Sequence, residues 1–172
     1  HGAGRLFEAA GALLGLGARN EYEGEAAALC EQLAASCTDH AVAPWSEVRL
    51  LQDRAEVPQQ ALLMSCARRL LDGERPERIA LGLHCTFAAL WVDLVRRECP
   101  TLPAIALGGG CMVNRVLQRE LTAGLERADC RVLRARALPP GDGGLSYGQC
   151  VVAAVAAARD CLPHFVSPFA EV

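Results

Sequence analysis

The 172 residues suit one domain or a domain with an appended lobe, and the net charge of −3, with acids and bases interspersed, argues against nucleic acid or an anionic membrane as partner. The apolar fraction of 52%, rich in Ala and Leu and poor in aromatics, belongs to a helix-rich globule with a real core. The longest uncharged apolar run, near GQCVVAAVAAA, is too short for a bilayer and no targeting segment is visible, so the expected location is cytoplasmic.

The chain opens at His1 rather than Met and enters a helix almost at once, which leads us to expect a piece of a longer protein. Phe7, Ala10, Leu13 and Leu14 recur at helical spacing and run into the glycine stop GLG. EYEGEAAALCEQLAAS reads as a second helix with acids favourably placed at its start. The stretch 37–57 reads as a loop with a short strand at VRLLQ. VPQQALLMSCARRLLDG is a third helix, with Pro58 near its first turn and Gly73 at its end. RPERIALGLHCTFAALWVDLVRREC restarts behind Pro76 as a longer helix that closes before Pro100.

The character then changes. LPAIALGGG is a short strand running into a glycine turn, and CMVNRVLQRELTAGLERA is a helix behind it. CRVLRA is a second strand, followed by the loop LPPGDGG and the last helix, LSYGQCVVAAVAAARDCL. The expected fold class is therefore α/β: a helical region over about 1–99, then a βαβα region over about 100–165.

In open α/β folds ligands sit beyond the carboxyl ends of the strands, where both glycine turns fall. The first, LGGGCMVN, offers a thin backbone and free N–H groups to an anion, with Asn114 one turn into the helix to meet a sugar hydroxyl or base. It can equally be a plain strand–helix joint. In the second, PPGDGG, Asp142 is either a metal or phosphate-side carboxylate or the N-cap of the last helix. Glu8 and Glu25 read most simply as solvated helix charges. The histidines, His1, His40, His84 and His164, have no metal-ligand spacing, and His84, in GLHCTFAALW, alone merits a functional reading. The nine cysteines form no CxxC or CxxxxC pair and read as reduced, mostly buried thiols rather than a zinc or iron–sulfur site.

GRLFEAAGALLGL, YEGEAA, LGGGCMVNRVL and PPGDGGLSYGQ occur in that order, and together they resemble the C-terminal part of HypF-type carbamoyltransferases over residues 4–158. LHCTFAALWVDLV resembles a further helix of that family. The resemblance implies an actin-like, sugar-kinase-like ATPase fold (the ASKHA class) with nucleotide and metal in an interlobe cleft. It implies that Asp142 coordinates a divalent metal, Mg or Fe. On the same basis Gly109, Gly110 and Asn114 lie at the nucleotide, Glu8 near the ribose and Gly24 at a second nucleotide-side turn. The implied activity is transfer of a carbamoyl group from carbamoyl-adenylate, made from carbamoyl phosphate and ATP, to the C-terminal cysteine of a HypE-type partner. That reaction supplies the cyanide ligands of [NiFe]-hydrogenases.

The chain departs from the family pattern in three places. The family's metal-binding histidine pair, zinc fingers and YrdC-like adenylating domain are absent, so the 172 residues are expected to be inactive without the remaining domains of a full-length protein. Glu8 stands for the usual Asp, and Gly108 for the Ser of SGG. Two alternatives stay open: an O- or tRNA-threonyl-carbamoyltransferase of the same fold, or a non-catalytic docking remnant.

Overall fold

The fold is organised around its fourth helix. In the computed structural model, which describes residues 2–17, 19–39 and 41–158, α4 (Pro76–Glu98) starts at a proline whose missing N–H costs nothing in a first turn. Its middle, IALGLHCTFA, is buried on every side rather than along one stripe, because α2, α3 and α5 all pack against it. The helix is long and apolar enough to cross a membrane, yet 72% of that stretch is buried inside the protein, as expected of a core helix.

The other helices each commit one face. α1 (Ala3–Leu13) buries Leu6, Phe7 and Ala10, and α2 (Glu25–Ala35) buries Ala26, Cys30 and Ala34 at a four-residue spacing of small side chains that lets the two helices approach closely. α3 (Gln59–Leu71) contributes Leu62 and Cys66. The acids expected at the start of the second helix divide: Glu21 and Glu23 lie in the turn before it, and only Glu25 is helical. Glu25 Oε2 accepts the Glu21 N–H at 2.6 Å, closing that turn.

The strand expected at VRLLQ does not form. No neighbouring strand takes its backbone; instead the Arg97 guanidinium donates to the carbonyls of Leu51 at 2.8 Å and Arg54 at 2.6 Å. Trp45 and Val48 anchor this loop in the core. Thr86 Oγ1 accepts the Trp45 N–H at 2.9 Å while donating to Gly82 O at 2.6 Å, and Arg69 stacks over the indole at 4.7 Å.

Helical character gives way to α/β between Glu98 and Ala104. β1 (Ala104–Leu107) and β2 (Arg131–Arg134) pair in parallel, Ala104 opposite Arg131 and Leu107 opposite Arg134, with α5 (Arg115–Arg127) as the crossover. α5 presents Val116, Leu117, Leu121 and Leu125 to the core and packs on α4. The helix expected over 111–128 is broken: a short 3-10 helix, Gly110–Val113, comes first, and Asn114 is extended before α5 begins. A second 3-10 helix, Asp142–Gly144, leads into α6 (Leu145–Ala158). His1, His40, Cys161, His164 and the stretch 159–165 of the expected βαβα region lie outside the described residues.

Candidate functional site

Four segments far apart in sequence meet at one cavity. Glu8 comes from α1, Gly24 from the turn before α2, Gly110 from the turn after β1, and Asn114 from the start of α5; all four line a space of 590 Å³. That lies within the roughly 300–1,000 Å³ usual for small-molecule sites. Glu23, Glu31 and Tyr22 complete much of the wall.

Glu8 is an oriented carboxylate rather than a loose helix charge. Arg5 Nη1 donates to Oε2 at 3.2 Å and Asn20 Nδ2 donates to Oε1 at 3.3 Å, so both oxygens are held. Asn20 Oδ1 accepts the Ala26 N–H at 3.2 Å, which ties Glu8 to the first turn of α2. Asn20 is a residue that sequence reasoning missed. An Asn just before a helix signals a cap, but nothing local announces its bond to a residue twelve positions back. Gly24 has φ of 81°, the left-handed region, and an added β-carbon would meet nothing within 4 Å. Backbone conformation, not crowding, makes glycine the suitable residue there.

Asn114 lies differently from the sequence expectation. It is the N-cap of α5, not a residue one turn inside, and both polar atoms of its amide have partners. Oδ1 accepts the Leu117 N–H at 2.8 Å, and Nδ2 faces His84 Nε2 at 2.9 Å. His84 Nδ1 lies 2.7 Å from Ala80 O. A carbonyl can only accept, so Nδ1 carries the proton, and the neutral ring offers Nε2 as the acceptor for Asn114. Burial drives the His84 pKa down to about 4, with Arg119 adding to the effect and the Ala80 bond opposing it. Phe7 packs on the ring at 4.6 Å between centroids.

Two of the N–H groups expected to welcome an anion at this helix start are also taken. Leu117 gives its N–H to Asn114, and Arg115 gives its own to Glu31 Oε1 at 2.7 Å. A carboxylate of the protein thus occupies the place where a ligand's negative charge was expected.

The two glycine turns touch each other. Gly109 N–H donates to Pro140 O at 2.7 Å, and a β-carbon on Gly141 would stand 3.1 Å from the Cα of Gly110. The thin backbone around Asp142 therefore serves loop-to-loop contact. Asp142 is exposed and opens the 3-10 helix; its carbonyl accepts the Leu145 N–H, but its carboxylate makes no hydrogen bond or ion pair to another described residue, so the side chain is not the helix cap that was one of its two readings. No cluster of three or more His, Cys, Asp or Glu side chains suited to a metal exists among the described residues. One carboxylate does not make a divalent site, so the residues present do not fit a metal and no step is derived through one.

The buried thiols offer no nucleophile either. The eight described cysteines are unpaired, and Cys30, Cys37, Cys66 and Cys85 are buried. Burial pushes Cys30 and Cys66 up to about 12 and Cys85 to about 11, so all three stay protonated at neutral pH.

Over residues 1–149 the sequence matches the family described as "Carbamoyltransferase, Kae1-like Domain, second subdomain". The chain belongs to this family. Its relatives include the carbamoyltransferase HypF of Rhodobacter capsulatus, 37% identical over 163 residues that cover 88% of this chain and 19% of the relative. A HypF homolog of Cupriavidus necator is 33% identical over 157 residues, covering 88% of this chain and 40% of the relative. The chain thus spans less than half the length of either. Among solved structures, HypF of T. kodakarensis superposes with a TM-score of 0.76 at 22% identity, over 91% of this chain and 20% of that one, a likeness of fold. Full-length HypF in a phosphate- and nucleotide-bound form superposes with a TM-score of 0.72 at 28% identity, over 90% of this chain and 20% of that one. The HypF-type resemblance carried by the four motifs therefore holds, as does the mixed α/β fold with a small parallel sheet.

Proposed function

We propose that this chain forms the nucleoside-side wall of a carbamoyl-transfer site. In a longer HypF-type protein the site would pass a carbamoyl group from carbamoyl-adenylate, built from carbamoyl phosphate and ATP, to the C-terminal cysteine of a HypE-type partner. The setting we infer is the cytoplasm, an actin-like ATPase architecture and [NiFe]-hydrogenase maturation. The observation that carries the reading is the convergence of Glu8, Gly24, Gly110 and Asn114 on one 590 Å³ cavity. A nucleotide-bound form of one solved relative supports it.

The cavity's chemistry narrows what it would hold. Glu8, Glu23 and Glu31 set three carboxylates on its wall against the single guanidinium of Arg5, which is paired with Glu8, and this acidic excess disfavours phosphate and favours the hydroxyl-bearing part of a nucleoside. Glu8, gripped at both oxygens, is the acceptor for a ribose hydroxyl. Asn114 acts through its fixed cap, which sets where the glycine turn ends and α5 begins. The adenylate, when bound, supplies an activated carbamoyl carbon. The attacking thiolate belongs to the partner, and no residue of this chain is assigned as nucleophile or general base.

Calorimetric titration with ATP and with 2′-deoxy-ATP tests the reading. The wild-type chain is expected to prefer the ribonucleotide by about tenfold, the worth of one hydrogen bond to a charged group. Glu8→Gln should erase most of that preference, while Asp142→Ala leaves it intact. Failure of the wild type to bind either nucleotide, or equal discrimination by Glu8→Gln, refutes the assignment.

A further inference from the structure

Another cavity, of 310 Å³, runs along the groove between α4 and α5 and shares no lining residue with the one at Glu8. Two contacts give its direction. His84 Nε2 faces Asn114 Nδ2 at 2.9 Å, and a β-carbon on Gly124 would stand 2.7 Å from Val92 Cγ2, so the two helices run side by side in the same sense. Past the Val92–Gly124 crossing, toward the helix ends, lie Asp93, Arg96 and Arg127; before it lie Cys85 and Glu120. The floor between is small and apolar, made by Ala88, Ala89, Val92 and the missing side chain of Gly124.

The charges around this groove are largely uncommitted. Asp93 and Arg96 are exposed and three positions apart on one helix, a spacing at which opposite charges readily pair, yet neither side chain bonds to another described residue. Arg127 gives Nε to Ala123 O at 3.0 Å and meets no carboxylate among the described residues. Helix ends favour cations, which accounts for an arginine on each but not for an unpaired aspartate between them. At the other end Glu120 accepts from Arg119 through Oε1 alone, at 2.9 Å. It lies near enough to the Cys85 thiol to add to the burial that raises that group to about 11.

We propose that this groove binds a free basic α-amino acid of lysine's length, lying along it from end to end. The α-carboxylate takes the guanidiniums of Arg96 and Arg127, whose planar forks match it, and the α-ammonium takes Asp93. The four-carbon stem covers Ala89 and Val92, and the terminal ammonium reaches Glu120 Oε2. Helical rise sets Glu120 and Arg127 about 10 Å apart along α5, which leaves room for such a molecule between the side chains that grip its ends. A ligand with only anionic groups would meet Asp93 and Glu120, and one with only cations would meet two arginines, so both signs are required of it. A volume of 310 Å³, at the lower end for small-molecule sites, suits a single amino acid. This site lies outside the carbamoyl-transfer reading and does not rest on it.

Calorimetric titration of the chain with L-lysine tests the proposal. The comparators are norleucine, which lacks only the terminal ammonium, and cadaverine, which lacks only the α-carboxylate. Lysine is expected to bind at least about tenfold more tightly than either, the worth of one hydrogen bond between charged groups. Arg96→Gln should weaken lysine binding by about tenfold, and Glu120→Gln should remove most of the preference over norleucine. Ala89→Leu keeps every charge and should abolish binding by filling the floor. These positions are exposed or half-buried, so melting should stay near wild type. No lysine binding up to about 10 mM overturns the proposal, as does equal binding of norleucine or cadaverine. Binding that survives Ala89→Leu in a folded chain also overturns it. So does binding unchanged by Arg96→Gln, whatever Ala89→Leu does to the fold. No readout involves nucleotide, so failure here leaves the Glu8 reading standing, and failure there leaves this site.

Discussion

Acidifying the solution from pH 7 to pH 5 should cost this chain about 2 kcal/mol of stability through the single side chain His84. The ring is fully buried, gives its Nδ1 proton to Ala80 O and accepts from Asn114 through Nε2. Protonating Nε2 would bury a charge and set two donors face to face. Burial accordingly lowers the pKa to about 4 from the ordinary 6.5. A group depressed in this way adds stability that is fully present above the unfolded value of 6.5. That stability is lost as pH falls toward 4, because the unfolded chain takes up the proton first. The gap corresponds to about 3 kcal/mol in full, of which about 2 is gone by pH 5.

The assay is urea unfolding at half-unit pH steps between 7 and 5, for wild type and His84→Gln. Gln shares every other titrating group, so carboxylate contributions cancel in the difference. The wild-type curve should fall toward the variant's as pH drops. Parallel curves would refute the reasoning, as would nitrogen chemical shifts placing the neutral ring's proton on Nε2.

Other substitutions probe separate parts of the structure. Asn20→Asp keeps the acceptor for the Ala26 N–H but replaces the donor to Glu8 with a like charge. Its melting temperature should stay near wild type while ATP over 2′-deoxy-ATP discrimination falls; Asn20→Ala should lower both. Thr86→Val strands the buried Trp45 N–H and should cost about 1–3 kcal/mol by chemical denaturation, with blue-shifted Trp fluorescence lost early in the transition. Gly141→Ala drives a β-carbon into the Gly110 backbone, so the two glycine turns must part. Hydrogen exchange at the Gly109 amide, now bonded to Pro140 O, should accelerate while that of α4 does not change.

Much of this architecture was legible in the chain itself. Periodic apolar residues, Pro58, Pro76 and Gly73 marked the helices to within a few residues, because local propensity and tertiary packing agree there. The change to βαβα order, the two glycine turns and the four family motifs were also local signals. VRLLQ was misread because β-branched and apolar residues make a strand only when a partner strand takes their backbone groups; here Arg97, from another element, takes the Leu51 carbonyl and that of Arg54 just beyond. Asn114 was misplaced by one turn because a cap is defined by where the helix starts. That point is fixed here by a buried histidine thirty residues earlier.

Sequence alone determined which residue types stand where chemistry is expected: a carboxylate in GRLFEA, glycines in YEGEAA and LGGG, an amide in CMVN, an acid in PPGDGG. Only the tertiary structure decided what each is free to do. It leaves Glu8 aimed and held at the 590 Å³ cavity, spends the Asn114 amide on a cap and a histidine, and sets Asp142 outside on a turn pressed against the other glycine loop. The physical reason is that a hydrogen-bonding atom's availability depends on partners brought from distant segments, and those partners are set by packing rather than by spacing along the chain.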